Sequence, residues 1–249
     1  MNVFFSDLDN TLVYSHRRAP EGEKIPVEHL DGKEQSYMTA RTFSFLRDAG
    51  WLNLVPVTTR TEAQYRRLEF PEAFGIRCAI VCNGGKLLLS GREDAEWTEQ
   101  TMENAREQLE SLREADGMLQ ELCRGELHRP EPYYVYGKAE NPARTAETLR
   151  RALPADRVTV GFDRRKVYLF AAAVNKGAAV RRFMRRFPVE HSVAAGDDPL
   201  DLPMLSAAEA ALAPRSAGET GNRRILLPEG VLSDRICRAL EGFHREGIL

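Results

Sequence analysis

The chain has 249 residues, 43% of them hydrophobic and 29% charged, with a formal net charge of −2. That balance excludes a disordered chain and any global field that would draw in nucleic acid or an anionic membrane. The length allows one large or two small domains, and no stretch approaches the roughly 20 apolar residues of a membrane span.

The four cysteines, Cys78, Cys82, Cys123 and Cys237, make no Cys-x-x-Cys pair and read as reduced, mostly buried thiols. A cytoplasmic protein with neither nucleic acid nor membrane as partner is the expectation. Val3 to Phe5 reads as a strand apolar on both faces, as in parallel sheets, leading into Asp7-Leu8-Asp9-Asn10-Thr11-Leu12. In an extended chain Asp7 and Asp9 point to one side. Two carboxylates so placed repel unless a cation or shared protons lie between them, and Mg²⁺ with oxygen ligands is the simplest resolution. A carboxylate beside Mg²⁺ can also attack phosphorus. Taken alone, Asp-x-Asp equally fits a Mn²⁺ glycosyltransferase or an acidic turn.

Residues 14–38 read as a polar stretch and then a small β-flap turning at Asp31-Gly32, with His16, Arg17 and Arg18 solvated or, alternatively, one of them lowered by the flap onto a substrate. Thr39 caps a helix that Gly50 ends. Leu52 to Val57 is a second strand, weakened by Pro56. It runs into Thr58-Thr59-Arg60-Thr61 and a polar helix over 62–69, where hydroxyls and backbone N–H groups suit a phosphate, or simply a helix cap. Cys78 to Cys82 is a third strand before the sharp turn Asn83-Gly84-Gly85. This order is that of an open parallel α/β sheet.

From Lys86 the texture changes. Residues 86–89 read as a strand partnered near Glu96-Trp97, and 99–123 as one long helix with Met102, Ala105, Leu109, Leu112, Leu119 and Leu122 on a single face. A strand at 133–136, a helix at 142–153 and a hairpin of 158–162 with 166–170 complete an α+β module, helices on one side of an antiparallel sheet. The α/β pattern resumes at Lys176-Gly177 with an amphipathic helix whose arginines at 181, 182, 185 and 186 read as a solvated face. A small-residue strand, 192–195, then ends in Gly196-Asp197-Asp198-Pro199-Leu200-Asp201. A helix at 202–208, strands at 210–213 and 225–227 and a helix at 232–243 finish the sheet.

Thr58, Lys176 and the Asp197–Asp201 turn thus share the carboxyl edge of a parallel sheet with Asp7 and Asp9, where α/β proteins bind ligands. Phosphoryl transfer brings an anion to an anion, so it needs positive charge to screen the approach and donors to hold the equatorial oxygens. The four elements, in this order, resemble the motifs of the haloacid dehalogenase (HAD) superfamily: Asp7-Leu8-Asp9-Asn10-Thr11-Leu12, Thr58, Lys176, and Gly196-Asp197 through Asp201. The insert resembles that superfamily's class II, subtype B cap, of the Cof-type and sucrose-phosphatase-like enzymes.

The resemblance implies an α/β fold, a Rossmann-like core over 1–84 and 173–249 with an α+β cap over 85–172 that would close over substrate. It implies Asp7 as nucleophile and Asp9 as general acid and base, with Thr58 and Lys176 holding the phosphoryl group. Mg²⁺ would be held by Asp7, the main-chain oxygen of Asp9, and Asp197, with Asp198 or Asp201 in support because Leu200 stands where Cof-type members carry Asn. Thr59 in place of the usual glycine is a milder departure. Thr59, Arg60, Asn83 and Gly84 are candidate substrate contacts, as are Arg164 and Lys166, with Arg165 and Tyr134, in the insert; hairpin-tip residues are otherwise simply polar. The expected activity is Mg²⁺-dependent hydrolysis of a small phosphorylated metabolite such as a sugar phosphate, by a monomer or weak homodimer. The alternatives are a phosphomutase or phosphotransferase sharing the aspartyl-phosphate step, and a non-catalytic binding or regulatory protein.

Overall fold

The computed structural model describes residues 1–214 and 223–249. The chain packs as two units, Met1–Asp94 with Lys176–Leu249, and Ala95–Asn175. In chain order the first unit begins with β1 (Asn2–Ser6), a flap of β2 (Tyr14–Ser15), β3 (Lys24–Leu30) and β4 (Lys33–Thr39), α1 (Ala40–Asp48), β5 (Asn53–Pro56) and α2 (Glu62–Tyr65). Strands β6 (Cys78–Val81), β7 (Lys86–Leu89) and β8 (Arg92–Glu93) follow. The second unit holds α3 (Ala95–Ala105), α4 (Leu109–Leu122), β9 (His128–Glu131), β10 (Tyr134–Lys138), α5 (Pro142–Ala152), β11 (Val158–Phe162) and β12 (Lys166–Ala171). The chain then returns to the first unit through α6 (Lys176–Arg186), β13 (His191–Ala195), α7 (Leu202–Leu205), β14 (Ala210–Ala213), β15 (Arg223–Leu226) and α8 (Leu232–Arg245).

The central sheet runs β15-β14-β13-β1-β5, every neighbour parallel. β6 continues it past β5 through the parallel bridge Val57–Ile80, where Thr58 N donates to Ile80 O at 2.9 Å. β1 is buried on both faces because helices cover both. Phe4 packs in the core that includes Leu46 of α1 with Ile236 and Leu240 of α8, while the Phe5 ring meets Phe183 of α6 edge-on at 5.4 Å. Each such buried side chain stabilises the fold by about 1.5–3 kcal/mol. No described helix is long and apolar enough to cross a membrane.

The flap turns at Asp31 and Gly32, both left-handed (φ 51° and 72°), as Asp-Gly favours. Its outer strand β3 does not stand free. The Glu28 backbone bridges to Leu68, and Glu69 N donates to Val27 O at 2.8 Å. This pairing explains why α2 is a single turn, closed by a Thr61/Gln64 capping box, rather than the helix expected over 62–69: the chain beyond Tyr65 is taken up by the flap.

In the second unit the antiparallel order is β11-β12-β10-β9. One face (Val135, Val158, Val160, Val167, Leu169) packs on Leu112, Ala115 and Leu119 of α4 and Ala146 and Leu149 of α5. The alternate residues Tyr134, Tyr136, Tyr168 and Phe170 form an aromatic set on the opposite face, the Tyr168 and Phe170 rings stacked at 6.3 Å.

Three expectations are corrected here. The single helix over 99–123 is two helices joined by a 3₁₀ turn at Arg106–Gln108, where the Gln108 side chain bonds the backbone of Asp156 and Ala173. Leu122, the last residue of α4, is exposed rather than on the buried stripe. Strand β7 pairs with β6 and β8, not with Glu96-Trp97, which lie in α3, so the 78–93 meander stays with the first unit and the second starts at Ala95 rather than 85. β9 was not foreseen.

Candidate active site

β1 ends at Ser6, and the next N–H, that of Asp7, donates to Ala195 O at 2.9 Å, carrying the β1–β13 ladder one step further. This fixes Asp7 beside the Gly196-Asp197 turn. Lys176, the first residue of α6, is 2% exposed and sends its Nζ to Asp7 Oδ1 and to Asp201 Oδ1, each at 2.6 Å. Asp201 Oδ2 accepts the N–H groups of Asp197 and Asp198, both at 3.0 Å. Two glycines permit this approach. A Cβ at Gly196 would lie 2.5 Å from the Asp201 carboxylate, and one at Gly177 only 2.1 Å from Pro203 O. Asp197 Oδ1 accepts the Thr11 hydroxyl at 3.1 Å.

Asp7, Asp197 and Asp201 each bring a carboxylate oxygen to within 4.8 Å of the others. Burial lifts the Asp7 carboxyl well above its usual range; Lys176 opposes the shift, and the neighbouring carboxylates add to it. Asp197 is pushed up to about 7, first by burial and then by Asp201. Burial works against the Lys176 ammonium, yet Asp201 and Asp7 outweigh it and raise its pKa. With all three ionised, three carboxylates against one ammonium would leave two negative charges unbalanced in a buried site; burial and that excess together lift the Asp7 and Asp197 pKa values in the absence of a cation. The all-oxygen donor set and that deficit fit one hard divalent cation such as Mg²⁺.

A second ion-paired group lies beside the first. Arg60 Nε and Nη2 hold the two oxygens of Asp9 at 2.8 Å each, a bidentate fork, while Nη1 lies 3.0 Å from Glu28 Oε2. The Asp9 carboxylate is therefore not in the Asp7 cluster, contrary to the parity expected of an extended chain. The chain is not extended there: Asn10 is left-handed (φ 64°), and Thr11, Leu12 and Val13 N–H all turn back to Leu8 O.

No protein-family model and no curated protein sequence matches the chain. Solved structures do. The sucrose-phosphatase of Synechocystis sp. PCC6803, solved with sucrose and phosphate, matches at a TM-score of 0.63 and 15% identity, over 98% of each chain. The HAD subclass IIB sugar phosphatase BT4131 matches at 0.65 and 14% identity, over 98% of this chain and 99% of that one. A haloacid dehalogenase-like hydrolase from B. subtilis matches at 0.58 and 18% identity, over 97% and 99%. The chain has the HAD subclass IIB fold.

Within that HAD fold the remaining candidate residues take these places. Thr58 is fully buried, and its Oγ1 accepts the Arg60 N–H at 3.1 Å. Thr59 is half-buried next to it. Asn83 and Gly84 follow β6 with left-handed backbones (φ 59° and 107°), and Asn83 N donates to Thr58 O at 2.9 Å. In the second unit Arg164 is exposed at the β11–β12 tip, and Lys166 Nζ sits 4.7 Å over the Tyr136 ring. Asp198 accepts Leu200 N–H at 2.9 Å and caps the 3₁₀ turn, so it is Asp201 that stands with Asp7 and Asp197. With one oxygen on Lys176 and the other on two N–H groups, Asp201 serves as anchor more than as open ligand.

Two residues were missed. Thr11 lies inside the Asp7–Leu12 motif, and its hydroxyl was the available signal. Glu28 had none: along β3, alternation sends Val27 inward and Glu28 outward, yet both are buried.

Proposed function

We propose that the chain is a Mg²⁺-dependent phosphatase hydrolysing a small phosphorylated metabolite, a sugar phosphate or related phosphomonoester, through an aspartyl-phosphate. The observation that carries this is Lys176 held against Asp7 at the carboxyl ends of β1 and β13, with Asp197 beside them. Lys176 engages Asp7 Oδ1 and leaves Oδ2, which has no hydrogen-bond partner among the described residues, to attack phosphorus. Asp9, entering the step as the protonated acid, gives its proton to the leaving oxygen as the phosphorus–oxygen bond to the substrate breaks. Asp9 then removes a proton from water, whose oxygen attacks the phosphoryl group and returns Asp7 as a carboxylate. Thr58 and nearby backbone N–H groups hold the equatorial oxygens, and Lys176 offsets their charge. Mg²⁺, held by Asp7, Asp197 and the main chain of Asp9, would supply the rest of the positive charge.

The named activities of the similar structures, a sucrose-phosphatase and a sugar phosphatase, direct the substrate search to phosphorylated sugars. The test is a screen of phosphorylated metabolites with Mg²⁺ and with chelator, wild type against Asp7→Asn. Turnover is expected to fall by at least about 10³-fold in the variant, since the covalent step is lost. Undiminished turnover in a folded Asp7→Asn protein rules Asp7 out as nucleophile. Product analysis with and without a sugar acceptor separates hydrolysis from transfer.

A further inference from the structure

Glu28 is a carboxylate of the flap, 4% exposed, at a place where such a group needs a reason. The β3–β4 register shifts on both sides of it, between Pro26 and Glu28 and between Glu28 and His29. That irregularity turns Glu28 inward beside Val27, as bulges near reactive sites re-aim side chains. Its carboxylate then meets Arg60 Nη1 at 3.0 Å, Arg67 Nε at 3.0 Å and the Ser36 hydroxyl at 2.6 Å. Burial works against the Glu28 charge, yet Arg60 and the hydrogen bonds from Ser36 and Arg67 hold its pKa below the usual value. It is a fixed anion.

The Asp9 side chain, by contrast, is 46% exposed and shared with solvent, whereas Arg60 is only 10% exposed. Arg60 is thus held from two sides, by the Asp9 fork and by the buried Glu28 behind it. The backbone ties Glu28–Leu68 and Glu69–Val27 hold β3 where it is, so the flap acts as a clamp on the Arg60 loop.

We propose that Glu28 is a positioning residue: it locks the Arg60 guanidinium so that the fork presents the Asp9 carboxylate in one orientation for proton transfer. This rests on the reading that Asp9 protonates the leaving oxygen. A planar fork held at one corner by Glu28 can offer Asp9 two parallel N–H groups; released, it swings.

The test uses the full chain and two substrates, an alkyl phosphate, whose leaving oxygen needs a proton, and 2,4-dinitrophenyl phosphate, whose leaving group does not. Glu28→Gln is expected to lower kcat/KM for the alkyl phosphate about tenfold or more and for the dinitrophenyl ester by less than about threefold. The double variant Glu28→Gln/Arg60→Lys should be no slower than Arg60→Lys alone, because both act on one contact. Equal losses on the two substrates, or additive losses in the double variant, overturn the proposal, since a purely structural role produces them. If Glu28→Gln does not fold, Ser36→Ala must move the ratio of the two substrates in the same direction; an unmoved ratio overturns it equally. Asp9→Asn separates the two readings. If it leaves alkyl phosphate hydrolysis intact, the role of Asp9 itself is wrong; if it abolishes that hydrolysis while Glu28→Gln leaves the ratio unchanged, only the positioning role is.

Discussion

Two cations in the first unit each stand between a pair of carboxylates, and they differ in kind. Lys176 lies between Asp7 and Asp201, with all three nearly closed to solvent. Arg60 lies between Asp9 and Glu28, with Asp9 open to water. Lysine is a compact point charge, suited to offsetting charge in a crowded buried cluster. Arginine is a planar fork, suited to fixing the direction of a carboxylate. On the proposed function the pairing separates two tasks: Lys176 would balance charge where bonds to phosphorus form, and Arg60 would aim the group that moves the proton.

The largest expected break in this comparison comes from deleting each cation. Lys176→Met leaves two carboxylates buried without their partner and should cost about 3–5 kcal/mol in urea unfolding. Arg60→Met should cost less, because water reaches Asp9 and the buried Glu28 keeps Arg67 and Ser36 as partners. Equal losses would dissolve the distinction.

A smaller effect is the pH dependence of metal binding. Asp197 is raised to about 7 from an ordinary 3.8. Its contribution to metal-free stability is therefore fully present below about 3.8 and lost as pH rises through about 7. Mg²⁺ competes with that proton, so the rise in Tm on adding Mg²⁺ should be larger at pH 8 than at pH 5. A gain independent of pH would show that Asp197 does not hold the metal.

The smallest effect has the opposite sign. Glu28 is depressed below its ordinary 4.5, so its contribution is present above that value and lost as pH falls through the folded value. Glu28→Gln should flatten the acid limb of the stability curve below about pH 4.5 and leave the neutral region's slope unchanged. The two clusters would then be distinguishable by titration alone.

What was legible in the sequence follows the same division. Asp7, Lys176 and Asp197 lie at the ends of strongly patterned elements, and strand ends in a parallel sheet share an edge, so their meeting could be read from order and spacing. The Arg60 group could not. It depends on a turn at Asn10 that sends Asp9 away from Asp7, and on an irregular β3–β4 register that buries Glu28; both are tertiary outcomes that override local alternation. The shortened α2 has the same origin, since the flap takes over the chain that helical propensity would have extended. In the second unit three of the four strands and helix α5 were readable, but the bend at 106–108 was not, because its stabilising bonds reach residues some 48 and 65 positions away.

The strand order carries a consequence for synthesis. β1 leaves the ribosome before every other described strand, yet the partner of one of its edges is β13, at His191–Ala195. Until most of the chain has emerged, an apolar ribbon with open hydrogen-bonding groups must wait, and such an edge invites pairing with other chains. Truncations ending before residue 191 should therefore aggregate rather than accumulate as a stable half-protein.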